Sequence, residues 1–419
     1  MTCSVLHWPC SRVSKLTLFL GSGLLSHVVA HGGVLNMLRR TALGMLVIIG
    51  LALVSACGGA SQPQAETIKI GFFGPMSGNS ASDGTHSMYA AKLAIDQANA
   101  NQTVPGKTFE LITYDDQLDP NQAITVAQKL VTEDKVRAVI GGSYSSTTRA
   151  AAPVFQQAGI PMLAAYATHP EVTKTGSMIF RVIYITTVQG NALAVYATTK
   201  LNYRNFHVLN INNDYGRSIT EAFTKTAQAN HSTIVSASEY ASDATDFSSQ
   251  IATIKAKPAD ALILVGYYAQ SADIIKQVRQ AGITLPIIGS DGLDSPSLVE
   301  LGGSDVEGVI LATDFSRNDP RSIVQNFIRE YRNAHGIDPD VVASSTYDAT
   351  NLLIDAFKRS PDSSSSAIRD TLAATQTYEG VTGAIVFTPE REVNKTVLFV
   401  KIERGAFTFL DKLDPSQLP

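Results

Sequence analysis

The sequence predicts an α/β protein made of two doubly wound units in series, with a cleft for a ligand where the strands end. Three observations predict it. Short apolar runs alternate with stretches whose apolar residues recur every three or four positions, and no hairpin turn separates them, so the strands are parallel and helices cover both faces. Nearly every run ends in a polar loop carrying Gly, Ser or Tyr. After about residue 187 the rhythm pauses and then repeats. A chain of 419 residues, 44% hydrophobic and 17% charged, has material for two cores and too little bias for disorder.

The first 56 residues contain Arg12, Lys15, Arg39 and Arg40 and no acidic residue, as export signals do. From Met37 the order is MLRR, then the apolar TALGMLVIIGLALVSA, then Cys57. That core is shorter than the roughly 20 residues a membrane-spanning helix needs. VSAC resembles a bacterial lipobox, which makes Cys57 the expected lipidation site and 57–66 a flexible polar tether. Residues 1–36 hold a second, weaker apolar run, and Met37 is read as the true start. The other cysteines, Cys3 and Cys10, precede it, so no disulfide is expected. Without the leader, 29 basic residues face 37 acidic ones, and no Lys/Arg cluster offers a nucleic-acid surface.

TIKIGFFGP (67–75) reads as the first strand, with a helix from about Ser87 in which Met88, Ala91, Ile95 and Ala98 share a face. FELITYDD (109–116) is the second strand, followed by a helix beginning at Pro120. RAVIGG (137–142) leads into the loop SYSS and a helix, and PMLAA (161–165) leads into YATHP. MIFRVIYITT (178–187) runs long and reads as a crossover. Beyond it come FHVLNI, TIVSASEY, DALILVGYY and LPIIGSDG, each followed by a loop or helix, then GVILAT (308–313) and two periodic helices. The tail from 382 to 410 alternates with period two and reads as antiparallel strands added late.

Catalysis needs a constellation, and the chain shows no Gly-x-Ser-x-Gly elbow, Walker loop or dinucleotide fingerprint. The five histidines beyond the leader are scattered, so neither metal nor cofactor is expected. His169, inside YATHP, is the one base near a serine. Asp115 and Asp116 read as turn and cap residues. What remains suits binding. A free α-amino acid offers a carboxylate and an ammonium at fixed spacing. Ser145 and Ser146, opening a helix, suit the carboxylate. Asp291 and Thr168 suit the ammonium, and Tyr215, Tyr267 and Tyr268 could wall the pocket. The plainer alternatives are an N-cap for the serines, a turn former for Asp291 and helix packing for Tyr268.

IGFFGPMSG (70–78), GGSYSS (141–146), AYATHPEVT (165–173), NDYGRS (213–218), VGYYAQSADIIKQVRQAG (265–282) and GSDG (289–292) together resemble the branched-chain amino-acid-binding family of solute receptors for ATP-driven importers. The resemblance implies the type I periplasmic-binding-protein fold, two Rossmann-like lobes joined by three crossovers and closing like a clam. Here they would fall near 185–189, 312–316 and 380–386, giving one lobe from 67–187 plus 315–382 and another from 188–314 plus 383–413. It implies carboxylate binding by Ser145 with backbone help from Tyr166 and Ala167, a Thr168 shared between carboxylate and ammonium, Asp291 for the ammonium, and Tyr215 with Tyr267 or Tyr268 as walls. Two departures stand out. Asp83 occupies a place where some members have tyrosine, and Tyr166 and His169 are larger or more polar than the common residues. The expectation is an exported, membrane-anchored, monomeric, non-enzymatic receptor delivering an amino acid or a close analogue such as an amide to an ABC permease with its ATPase. A sensing module for a signalling partner, or a hydrolase using Ser145 or Ser146, are the alternatives.

Overall fold

A computed structural model describes residues 65–419; the expected leader, the Cys57 lipobox and most of the tether lie outside the described residues. The first lobe runs β1 (Glu66–Gly74), α1 (Ala81–Ala100), β2 (Lys107–Asp115), α2 (Pro120–Lys129), β3 (Ala138–Gly141), α3 (Ser145–Ala158), β4 (Met162–Ala164), α4 (Glu171–Lys174) and β5 (Ile179–Arg181). Its five strands are parallel in the order β2-β1-β3-β4-β5. Successive side chains of a strand point to opposite faces, and β1 uses both. Ile68, Ile70 and Phe72 enter one core with Ala91 and Ala94 of α1, whereas Phe73 enters another with Val126 of α2 and Phe155 of α3.

The second lobe runs α5 (Thr186–Val195), β6 (Asn205–Ile211), α6 (Asp214–Ala229), β7 (Thr233–Tyr240), α7 (Ser248–Lys255), β8 (Ala261–Val265), α8 (Tyr268–Gln280), β9 (Ile287–Gly289), α9 (Pro296–Gly302) and β10 (Ile310–Thr313). The chain then returns to the first lobe as α10 (Ser322–His335), α11 (Val341–Arg359), α12 (Ser365–Ala373) and the hairpin β11 (Tyr378–Gly380) and β12 (Gly383–Ile385). Leu352, Leu353 and Phe357 of α11 share a core with Ile70 and Phe72. Last come β13 (Val397–Glu403) and β14 (Ala406–Leu413), antiparallel additions that make the second sheet β14-β13-β10-β9-β8-β6-β7. Alternation from 382 onward predicted those two strands.

Two boundaries differ from the sequence reading. Helix α1 begins at Ala81 rather than near Ser87, so the presumed loop supplies its first turn. Gly84 explains the fit, since a Cβ there would lie 2.0 Å from the Pro75 carbonyl oxygen. The third crossover falls at 394–396 instead of 380–386. Ile385 and Val393 are buried in the first lobe's core, and Phe387 packs edge-on against Phe180 at 5.3 Å, which keeps 383–393 on that lobe.

The crossovers lean on buried polar groups. Lys395, in the third, places its ammonium 3.2 Å from Asp314, which follows β10 in the second, and also donates to Thr382. Beside them Asp348 of α11 accepts from the Val381 and Thr382 N–H groups at 2.7 and 2.8 Å and from the Thr382 hydroxyl at 2.5 Å. Replacing Asp348 with Ala would orphan two buried N–H donors. The expected loss in urea unfolding free energy is about 3 kcal/mol; an unchanged midpoint would refute this role.

Candidate functional site

The loops after β3, β4 and β9 converge where the two lobes face each other. At the end of β3, Gly142 lies at φ +51, and a Cβ there would collide with Thr148. That left-handed turn aims the chain into α3. The N-cap of α3 is Tyr144, extended and without a side-chain cap, so Ser145 is the first helical residue and not the cap that serine pairs usually provide. The first N–H groups of the helix are therefore left without a side-chain acceptor, at the end favoured by anions. Ser145 is buried, and its hydroxyl accepts from the His169 N–H at 3.2 Å. Ser146 is only half-buried.

The YATHP loop is fixed from beneath. Arg181, wholly buried at the end of β5, donates to the Ala167 carbonyl at 2.5 Å and the His169 carbonyl at 2.7 Å, and its charge meets Glu392 at 2.8 Å. With those carbonyls engaged, the loop presents the Tyr166 hydroxyl and the Thr168 hydroxyl, both buried and both without a protein partner. The His169 ring accepts from the Glu171 N–H at 3.2 Å. Burial, then the nearby Arg149 charge, lower its pKa.

From the second lobe comes Asp291, 0% exposed, just past β9. Its Oδ1 accepts from Tyr215 Oη at 2.6 Å, and the Gly292 N–H donates to the same hydroxyl at 3.2 Å. Its Oδ2 has no partner. Burial pushes the Asp291 carboxyl up to about 7 against the pull of the Tyr215 hydrogen bond. Tyr267 packs 5.4 Å from Tyr215 and accepts from Asn213 at 3.1 Å. Tyr268, at the start of α8, reaches Ser82 of the first lobe, so Tyr267 is the wall and Tyr268 a contact between lobes.

The lobes touch directly. Arg149 of α3 pairs with Asp214 of α6, Ser82 meets Ser297 at 3.1 Å, and the Tyr144 and Tyr267 rings lie 4.1 Å apart. Three residues passed over in the sequence belong here. Gln189, in α5 just past the first crossover, is fully buried; it donates to Tyr184, its Oε1 lacks a partner, and it neighbours Asp291. A buried glutamine at the start of an otherwise apolar helix was the available signal. Tyr144 donates to Asp83 at 2.5 Å. Tyr184 carries no readable signal, since it sits in an apolar run.

A cavity of about 400 Å³ opens at the crossovers, lined by Asp314, Arg321, Thr382 and Lys395, and none of the Ser145–Asp291 set borders it. Four buried polar atoms without partners among the described residues, Tyr166 Oη, Thr168 Oγ1, Gln189 Oε1 and Asp291 Oδ2, belong instead to the loops and helix at the interlobe face. The arrangement offers an anion a helix N-terminus and Ser145, and offers a cation Asp291 with Thr168 and Gln189.

A family model described as Periplasmic binding protein matches residues 67–406. The Leu/Ile/Val-binding protein of Escherichia coli K12 is 30% identical over 268 residues, covering 63% of this chain and 73% of that one. The leucine-, isoleucine-, valine-, threonine- and alanine-binding protein of Pseudomonas aeruginosa is 28% identical over 328 residues, covering 77% and 86%. Among solved structures, the branched-chain amino acid transporter substrate binding protein LivJ from Streptococcus pneumoniae, in complex with isoleucine, superposes with a TM-score of 0.78 at 30% identity, covering 83% of this chain and all of that one.

Because the folded Asp291 carboxyl titrates near 7 and an unfolded one near 3.8, the folded state holds the extra proton between those values. Its contribution to stability is thus full below about pH 4 and is lost as pH rises through 7. In ligand-free protein, Asp291→Asn should gain melting temperature relative to the wild type between pH 5 and 8. Parallel pH profiles would show that Asp291 is not a buried acid of this kind.

Proposed function

The chain belongs to the periplasmic binding protein family, of the Leu/Ile/Val-binding type, and from that membership we propose that it captures a free amino acid between its lobes and hands it to a membrane permease. The observation that carries the reading is the pairing across one cleft of an anion-receiving helix end, α3 with Ser145, and a buried carboxylate, Asp291, whose Oδ2 has no protein partner. An α-amino acid fits both at once, as its carboxylate and ammonium are borne by one carbon. In this reading Ser145 and the backbone of Tyr166 and Ala167 hold the carboxylate, Thr168 serves both ends, and Asp291 neutralises the ammonium. Tyr215 and Tyr267 close over the ligand.

The relatives' names support the ligand class: leucine, isoleucine and valine for the first, threonine and alanine added for the second, and isoleucine bound in the third. First-lobe groups would receive the ligand, and the second-lobe contacts would favour the closed arrangement through their differential affinity for it. Export, anchoring through Cys57 and action as a monomer complete the proposal. No catalytic step is included, since the Ser145 hydroxyl is engaged by a backbone N–H and the His169 ring accepts from Glu171.

Titration calorimetry tests the site. Asp291→Ala should abolish amino-acid binding while the ligand-free protein still melts at or above the wild-type temperature at pH 7, and unaltered affinity would remove Asp291 from the site. Because pairing with an ammonium requires the Asp291 proton to leave, affinity in the wild type should rise by up to about tenfold per pH unit below about 7 and level off above it. A flat profile from pH 5 to 8 would contradict that pairing.

A further inference from the structure

A second buried carboxylate borders the same cleft. Asp83 lies in the first turn of α1, on the opposite lobe from Asp291, and is 3% exposed. Tyr144 Oη donates to its Oδ2 at 2.5 Å. The Tyr144 ring packs on Tyr267 at 4.1 Å, Tyr267 on Tyr215 at 5.4 Å, and Tyr215 donates to Asp291 at 2.6 Å. The three rings therefore form an aromatic strip with a carboxylate held at each end. Tyr166 lies within Coulombic reach of both carboxylates, and its hydroxyl, buried and without a partner, is an independent polar group in the same space.

The nearest positive group to Asp83 is the His86 imidazole, whose pull on the carboxyl is outweighed by burial and by the Asp340 charge. No Lys or Arg among the described residues forms an ion pair with it. Its neighbour His86 gives its Nδ1 to Asp340 at 2.5 Å, and Asp294 is paired with Arg317. An uncompensated carboxylate in the interior must either stay protonated or meet a donor brought from outside.

We infer that Asp83, held by Tyr144, recognises the far end of the ligand, and that the protein selects an amino acid whose side chain ends in an N–H donor, an ω-amide or an ω-ammonium, over an apolar one of similar length. The inference rests on the amino-acid reading above, with the α-ammonium on Asp291. A leucine side chain laid along the strip would leave Asp83 facing methyl groups, and a buried polar site left unpaired rejects such an analogue strongly. Both donor types share the chemistry of an N–H directed at a carboxyl oxygen, and Asp83 variants separate them.

The experiment is calorimetric titration of the intact protein with leucine, methionine, glutamine and lysine. Glutamine or lysine should bind at least about 100-fold more tightly than leucine or methionine. Asp83→Leu should weaken the preferred ligand about 100-fold while leucine changes by less than tenfold. Asp83→Asn should keep glutamine and lose lysine, which assigns the donor as amide or ammonium. Melting curves report whether each variant folds, and the wild-type ratio with Asp83→Asn decides if Asp83→Leu does not. Leucine binding as tightly as glutamine and lysine, or Asp83→Leu binding all four as the wild type does, overturns the inference. Leucine binding as tightly as glutamine and lysine, with Asp291→Ala abolishing all of it, would sink this inference alone, whereas no binding of any amino acid would sink the parent reading with it.

Discussion

A carboxylate taken out of water has to be neutralised by a proton, a hydrogen-bond shell or a cation, and Asp291 has only part of a shell. Tyr215 satisfies one oxygen, and among the described residues the other is left without a hydrogen-bond partner. The surrounding architecture can be understood as what holds that unfinished group in place. Strand β9 ends at Gly289, and the chain turns at once through Asp291 and Gly292. A Cβ at Gly292 would come within 2.2 Å of the Gly266 carbonyl oxygen, so the turn packs on the neighbouring strand end as only glycine allows. The carboxylate is thus carried on a turn packed closely against the ends of β8 and β9.

The opposite lobe is organised by a different device. Arg181 could have made a surface ion pair but is buried beneath the YATHP loop, with Glu392 balancing its charge and two loop carbonyls taking its N–H groups. Glu392 arrives from the segment between β12 and β13, some two hundred residues later in the chain. This late strap explains why 383–393 remain with the first lobe. It also means that the loop presenting Thr168 is braced by the last part of the chain before the third crossover, where Lys395 and Asp314 join two crossovers through a buried pair. Such pairs add little net stability against an apolar alternative, yet losing one partner is costly.

Much of this was legible from residues alone. Alternation gave the parallel sheets, and Ser145, Thr168, Tyr215 and Asp291 stood out because polar residues clustered where apolar runs stopped. The failures have physical reasons. Tyr144 drew no separate reading within the SYSS loop, because no local pattern says that an N-cap will go without a side-chain cap and place its ring against Tyr267. Gln189 lay inside an apparently apolar helix, and Arg181 inside an apparently apolar strand; each is explained by partners far away in sequence. Tyr267 and Tyr268 could not be separated by spacing, since they flank the N-cap boundary of α8, and only the backbone direction there decides which faces Tyr215. The start of α1 was misplaced because Gly84 and the three serines before it read as loop, while close packing on Pro75 makes the glycine a requirement of the helix's position.

Helix α11 bears on how the chain comes to be folded. Its Leu352, Leu353 and Phe357 cover Ile70 and Phe72, so one face of the first sheet is sealed by residues close to the chain's other end. A growing polypeptide that has reached only β10 has every strand of the first sheet, yet the part of that face which α11 covers beside α1 is still open. Contacts of such long sequence separation form slowly. The first lobe is therefore begun first and finished late.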